Sequence, residues 1–356
     1  MKFSLFYFSG DGSTSQNDKY RLFIEGSKFA DQQGFSAVWI PERHFDAFGG
    51  LYPNPSVLGA AIAMVTEQIQ IRSGSVVMPL QHPLRVAEEW AVVDNLSQGR
   101  VSLSFAPGWQ PNDFVLYPEK YADKKEIMWR DIQTVQKLWQ GEAIALEGGK
   151  GKSIPTQTFP RPLQPQLSIW ITSLSDETFI EAGRIGANIL TSSLYQSLED
   201  IYRKISLYRQ SLAQHGHDPQ QGKVALMIHT FLGKNIDEVK QRVKEPFTNY
   251  LKTHLDLMAK TVGQSRFSID PKTMSAQDLE DLLAYSFESY FNTKVLMGTP
   301  ESCRKMIDDF QKAGIDEVAA LIDFGVDFDG VMESLNYLQE LKSHYEIVPV
   351  EQVLIN

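Results

Sequence analysis

The sequence predicts an eightfold α/β barrel, and three observations carry that expectation. Short β-branched or aromatic runs alternate with longer amphipathic ones, the pattern of parallel strands joined by crossover helices. Eight such pairs fit into the 356 residues, which is the tally of a TIM barrel and more than a doubly wound open sheet, the competing arrangement, ordinarily uses. Several runs, SAVWI and EVAALI among them, are apolar at consecutive positions, as suits strands covered by helices outside and by barrel filling inside.

Strands are expected at Lys2 to Phe8, Ser36 to Ile40, Ile69 to Met78, Val101 to Phe105, Leu167 to Ile171, Ala187 to Thr191, Val224 to Leu232 and Glu317 to Ile322. Helical periodicity fills the intervals at Tyr20 to Gln33, Ser56 to Thr66, Leu84 to Leu96, Lys124 to Trp139, Asp176 to Ile185, Leu198 to Gln214, Ile236 to Met258 and Glu301 to Ala313. Gly34 follows the first helix and Gly314 the last, where a left-handed residue closes a helix. Pro55, Pro83 and Pro300 lie at or next to helix starts, where a missing N–H costs nothing. Residues 141–166 are rich in Gly, Pro and polar side chains and read as a long loop or small hairpin, while 250–297 carries extra helical pattern before the eighth unit. Residues 1–356 are thus expected to form one barrel domain with two insertions, without internal repeats.

The composition bounds the function. With 42% hydrophobic and 11% aromatic residues the chain can bury most of its surface, which excludes disorder as the dominant state. The 34 basic against 44 acidic side chains leave a formal charge of −10, which argues against nucleic acid or an anionic membrane as partner. The single cysteine, Cys303, excludes an internal disulfide framework and a cysteine-based metal site, and its helical context predicts a buried inert thiol. The opening MKFSLFYFSGDGS is too short for a secretion signal, and no apolar stretch reaches the roughly 20 residues that span a bilayer. A soluble cytoplasmic protein is expected.

In a TIM barrel the chemistry sits on the loops after the strands. Those loops bring Pro41 to Phe45, Pro79 to Pro83, Ala106 to Asp113, Thr172 to Ser175, Ser192 with Ser193, and Asp323 to Gly325. No lysine ends the sixth strand, against a Schiff-base aldolase, and Glu42 with Asp323 do not make the carboxylate pair of a retaining glycosidase. His215 and His217 read as part of a solvated turn, and no metal is expected. Gly148 to Ser153 resembles a phosphate loop, but the glycine required five positions before Gly151 is Leu146, and G-x-G-x-x-G is absent. What remains is polar, aromatic and hydroxyl-rich, suited to a flat aromatic cofactor with a phosphate tail. Thr172 to Thr178 joins a strand end to a helix start, and two readings stand level: a phosphate cradle of hydroxyls and backbone amides, or an ordinary N-cap by Ser175.

The segments FSAVWIPERHF, SGSVVMPLQHPLRVAEEWAVVDNLSQGR, SLSFAPGWQPNDF, EAGRIGANILTSS and GTPESCRKM followed by EVAALIDFGVD resemble the bacterial luciferase-like flavin monooxygenases, most closely the branch found in nonribosomal peptide and polyketide gene clusters. The branch often has Ser and His where this chain has Pro107 and Gln110, which leaves the local roles of those positions open. The resemblance implies a catalytic group of His44, Glu42 and Arg43, with His44 beside the flavin and its neighbours orienting it or touching substrate. It sets the backbone of Met78, Pro79 and Leu80 behind the flavin ring, where relatives often bear a strained peptide, and makes His82 a helix-start element. It implies a cofactor wall of Ala106, Gly108, Trp109 and Asn112, a phosphate site of Thr172, Ser173, Ser175 and Thr178, and weaker contacts from Thr191, Ser192, Asp323, Phe324 and Gly325.

The function so implied is an FMNH2-dependent monooxygenase in which reduced FMN and O2 oxygenate, by hydroxylation, an organic substrate, with a carrier-protein-bound intermediate as the class the branch favours. A separate flavin reductase and a homodimer are implied partners. Arg203, Lys204 and Arg209 are the basic residues that an acidic carrier would need. The alternatives are F420-dependent hydride transfer and a non-catalytic flavin-binding protein.

Overall fold

The structure, a computed structural model, describes residues 1–8, 18–194, 196–260 and 274–346, with residues 254–260 described as backbone only. Eight parallel strands close into a ring: β1 (Lys2–Phe6), β2 (Ala37–Ile40), β3 (Gln70–Val77), β4 (Val101–Ala106), β7 (Ser168–Thr172), β8 (Asn188–Ser192), β9 (Val224–Leu232) and β11 (Glu317–Leu321). The pairing of β8 with β9 and of β11 with β1 completes the closure. A short parallel strand, β10 (Leu296–Gly298), adds to the end of β9 beyond its partners in the ring. Every expected strand is present. Their ends contract where the chemistry demands it: Pro79 cannot donate to a ladder, so Met78–Leu80 turns into a 3-10 helix instead of extending β3.

Outside the ring lie α1 (Arg21–Gln32), α2 (Pro55–Ala63), α3 (Pro83–Leu96), α4 (Lys124–Gln140), α5 (Asp176–Arg184), α6 (Leu198–Gln214), α7 (Ile236–Lys260), α8 (Ala276–Thr293), α9 (Pro300–Lys312) and α10 (Phe328–Ser343). Their starts are chemically marked. Asn54, Ser175, Ser197, Ser275, Thr299 and Asp327 each accept a first-turn amide with a side-chain oxygen, which stabilises such a helix by about 1 kcal/mol. Eight helices were expected and ten are present among the described residues; α8 lies in the expected second insertion. α10, not among the expected helices, closes the eighth unit by burying Val331, Leu335, Leu338 and Leu341 on one face.

The expected insertion at 141–166 is a two-stranded antiparallel hairpin, β5 (Ile144–Glu147) with β6 (Ser153–Thr156). Its tip is the glycine-rich stretch: Gly148 N–H donates to the Lys152 carbonyl at 2.9 Å and Gly151 N–H to that of Gly148 at 2.9 Å, so the loop closes on itself. The second insertion contributes α8, while its residues 261–273 lie outside the described residues. Cys303 is buried on α9, and burial pushes its thiol up to about 12, an inert form at neutral pH.

The barrel interior is filled, not open. Phe6 and Trp39 stack with centroids 6.4 Å apart, and Trp39 meets Trp170 edge-on at 5.1 Å. One charged pair enters this core. Arg72 Nη1 donates to both Glu317 carboxylate oxygens at 3.0 Å, and Ser4 Oγ, itself accepting from Trp39 Nε1, donates to Glu317 Oε1 at 2.6 Å. Glu317 opens β11, so the pair sits toward the N-terminal half of the barrel and leaves the opposite mouth to the loops. No helix among the described residues is long and apolar enough to cross a membrane.

Candidate active site

The loop after β2 carries the best-held polar group of the mouth. Pro41 ends the strand, and Glu42, 4% exposed, accepts three hydrogen bonds: from the Val77 amide at 2.7 Å, from Gln81 Nε2 at 2.5 Å and from His44 Nε2 at 3.0 Å. The first two come from the end of β3 and the turn after it, so the carboxylate ties two adjacent strand ends together. The third fixes His44, which keeps its other ring nitrogen free of that anchor and remains partly open at the mouth. Of the expected orienting pair, Glu42 does that work. Arg43 turns away, with its guanidinium carbon 4.8 Å from the Trp109 ring centroid, 5.5 Å from Phe8 and 5.9 Å from Phe48.

The wall after β4 differs from the expectation in two places. In the 3-10 helix Pro111–Leu116 it is Asp113 that faces inward and Asn112 that is exposed, because one turn separates the apolar Phe114 side from the solvent side. Asp113 is pushed up to about 6, chiefly by burial, with the positive field of Arg43 and His44 opposing and Glu42 and Asp46 adding to the rise. Gly108 has φ +83, and a Cβ there would lie 2.9 Å from Val77 Cγ1 and 3.0 Å from Phe114. Its glycine is required by the fold of the turn itself, whatever binds beside it. Trp109 is 40% exposed and lies over Arg43, and Ala106 ends β4 half-buried at the same rim.

The hydroxyl site is assembled, and it extends further down than expected. Ser175 caps α5 and its Oγ lies 2.9 Å from Thr178 Oγ1, while Ser173 Oγ accepts the Ser175 amide at 3.2 Å. Thr172 Oγ1 lies 2.7 Å from Ser104 Oγ and 2.5 Å from Ser75 Oγ, which makes a line of hydroxyls across β3, β4 and β7. Ser75 and Ser104 were not among the expected residues; alternate serines in SGSVV and VSLSF were the available signal, since small hydroxyls at period two mark an inward face. The first turn of α5 also holds Asp176 and Glu177, but Arg203 binds Asp176 at 2.5 and 2.8 Å and Lys125 binds Glu177 at 3.1 Å. With those charges drawn off, the turn's amides and three hydroxyls fit an anionic phosphate tail, and the exposed Trp109 ring at the rim fits a flat one.

Other expected residues have structural duties. Thr191 Oγ1 donates to the Ser173 carbonyl at 2.8 Å and accepts from Gln196 Nε2 at 3.0 Å, bracing the hydroxyl loop from behind, and Gln196 Nε2 also holds the Ser192 carbonyl at 2.9 Å. Asp323 accepts the Phe8 amide at 2.9 Å and Tyr52 Oη at 2.9 Å, so it clamps three loops. Phe324 is buried against His229 and Phe247, and Gly325, at φ +110, packs near Pro246. His82 Nδ1 accepts the Leu84 amide at 3.2 Å, the helix-start role expected of it. Met78 and Pro79 are buried, and the non-prolyl cis peptide of this strand is Gly74–Ser75, upstream of the expected 78–80 position. The three basic residues on α6 do not form a free basic face. Arg203 is spent on Asp176, Lys204 is buried holding the Leu174 carbonyl at 2.7 Å, and Arg209 holds the Pro219 and Gly222 carbonyls.

A closed eight-stranded parallel barrel with a Glu-anchored histidine and a hydroxyl-rich helix start at its C-terminal mouth is the architecture of a TIM-barrel enzyme, whose chemistry sits on the loops at that end. Residues 1–317 match the model of the luciferase-like monooxygenase family, and the chain belongs to that family, as an oxidoreductase. It is similar to the oxygenase component of the flavin-dependent trigonelline monooxygenase of Acinetobacter baylyi, 25% identical over 346 residues that cover 94% of this chain and 92% of that one. Among solved structures it superposes on monooxygenase RslO1 from Streptomyces bottropensis with a TM-score of 0.80, 22% identity and 97% and 100% of the two chains covered. The oxygenating constituent of 3,6-diketocamphane monooxygenase from Pseudomonas putida, solved with FMN, gives 0.76, 20% identity and coverage of 98% and 99%.

Proposed function

We propose that this chain is the oxygenase of a two-component flavin system, taking reduced FMN from a separate reductase and using O2 to hydroxylate an organic substrate. The observation that carries the reading is the joint placement of His44, held by buried Glu42, and the hydroxyl cluster of Ser173, Ser175 and Thr178 at one barrel mouth. Reduced FMN, when bound, supplies the two electrons that let one oxygen atom enter the substrate while the other leaves as water. Ser173, Ser175, Thr178 and the first-turn amides of α5 bind its phosphate. Ala106 and Trp109 wall its ring and keep water out. Glu42 accepts from His44 Nε2 and thereby orients the imidazole, which holds or passes a proton at its other nitrogen.

The similarity to an oxygenase component supports a separate reductase, and the motifs FSAVWIPERHF and SLSFAPGWQPNDF support a carrier-bound substrate of peptide or polyketide assembly. Anaerobic titration with reduced FMN and, separately, reduced F420 tests the cofactor. Saturable binding of FMNH2 alone is expected. Selective binding of F420 moves the chain to hydride transfer, and binding of neither makes it a non-catalytic protein.

A further inference from the structure

Arg43 is 2% exposed, yet neither its Nε nor its two terminal nitrogens makes a hydrogen bond. A buried guanidinium with its donors unspent is costly, because water's hydrogen bonds are lost and nothing replaces them. The surroundings explain its position but not its charge. Its stem is packed so closely that a Cβ on Gly49 would lie 2.9 Å from its own Cβ, and three aromatic rings flank the head. Rings offer quadrupoles and no acceptor for the N–H groups. Two acceptors on the facing segment are also unspent, Gln110 Oε1 and Asp113 Oδ1, both buried.

We propose that Arg43 is the substrate-recognition residue of this mouth and that it receives a carboxylate carried by the substrate, seated against the Trp109 ring. A planar, always-charged fork with aromatic neighbours matches a planar two-oxygen anion better than a tetrahedral or neutral group. The flavin phosphate has its own hydroxyl site on the β7–α5 loop, three strands round the ring from the β2 loop that carries Arg43. Arg43 is therefore left for the other ligand. That the acid is a substrate rests on the oxygenase reading; the anion site itself stands on Arg43 alone.

The groups whose charge acts on this head are Asp113 from the 3-10 helix, Asp46 from its own loop and Tyr250 from α7, while Glu42 and His44 act on Asp113. Asp113 is pushed up to about 6, chiefly by burial. Protonated, it leaves Arg43 to the incoming acid; ionised, at pH above about 6, it competes for the same cation.

The test is calorimetric titration of the full chain, loaded with oxidised FMN, using benzoate and its neutral isostere benzamide as probes. Benzoate is expected to bind at least about tenfold more tightly than benzamide, the factor one charge-assisted hydrogen bond confers. Arg43→Met removes that preference, Arg43→Lys retains part of it, and both keep FMN affinity. In the wild type benzoate binding weakens as pH rises through about 6, and Asp113→Asn removes that dependence. Equal binding of the two probes, absence of benzoate binding, or a preference unchanged in Arg43→Met overturns the proposal. So does loss of FMN in Arg43→Met and Arg43→Lys with benzoate binding intact, which would assign the cation to the flavin. An Arg43-dependent benzoate site in a chain that binds no reduced flavin would instead keep the anion site and sink the oxygenase reading.

Discussion

Replacing Glu42 by Ala probes the site and the fold together. Its carboxylate is 4% exposed and accepts from the Val77 amide, Gln81 Nε2 and His44 Nε2. Hydrogen bonds to a charged group each contribute about 1.5–3 kcal/mol, and a donor left unmet in the interior costs its full desolvation. His44 reaches the mouth and recovers water, so the lasting loss comes from the Val77 and Gln81 donors, about 3–5 kcal/mol in all. Unfolding entropy of roughly 2 cal/mol/K per residue over a chain this long makes each kcal/mol worth about 1–1.5 °C. Glu42→Ala is therefore expected to lower the calorimetric Tm by about 4–6 °C, and Glu42→Gln, which keeps one acceptor oxygen, by about half as much. A double-mutant cycle with His44→Ala should return a coupling of about 1 kcal/mol, because the two side chains share one hydrogen bond. If Glu42→Ala melts within a degree of wild type and shows no coupling, the carboxylate is not the anchor of this site.

Asp113 carries a pH signature. Its folded value of about 6 lies above the unfolded one near 4, so between those values the folded state keeps a proton that the unfolded state has lost, and stability falls as pH rises through that window. Asp113→Asn should match wild type in urea midpoint stability near pH 4 and exceed it at pH 8 by up to about 3 kcal/mol. For the phosphate site, Ser175→Ala with Thr178→Ala should weaken FMN binding at least about tenfold while leaving riboflavin, which lacks the phosphate, nearly unchanged. The same pair should cost about 1 kcal/mol of stability through the lost helix cap. An equal loss for both flavins would place the phosphate elsewhere.

The barrel was legible because its strands repeat a single physical signature, an apolar run ended by a turn residue, eight times in order. α10 was less legible although Val331, Leu335, Leu338 and Leu341 keep helical spacing, because among the described residues no strand follows it to mark it as a crossover helix. In the site, Glu42 and Arg43 were both implied by the resemblance as neighbours that orient His44 or touch substrate, and only Glu42 meets His44, two residues away after a Pro-terminated strand. The opposite heading of Arg43 was not, since side chains on an irregular loop obey no period. Asn112 and Asp113 show the same limit: a shift of one residue in a 3-10 turn decides which of two polar neighbours is buried. Ser75 and Ser104 meet Thr172 only through the register of β3 with β4 and of β4 with β7, which no local pattern contains.

The proposed oxygenase reaction requires that the mouth hold reduced flavin and control its reaction with oxygen through His44. Stopped-flow mixing of the anaerobic FMNH2 complex with oxygenated buffer, in wild type and in His44→Ala, tests it directly. Bound flavin is expected to reoxidise in resolved phases distinct from free FMNH2, and His44→Ala to change the rate of at least one phase by about a hundredfold. Reoxidation at the free rate in a single phase, the same in both proteins, would contradict it.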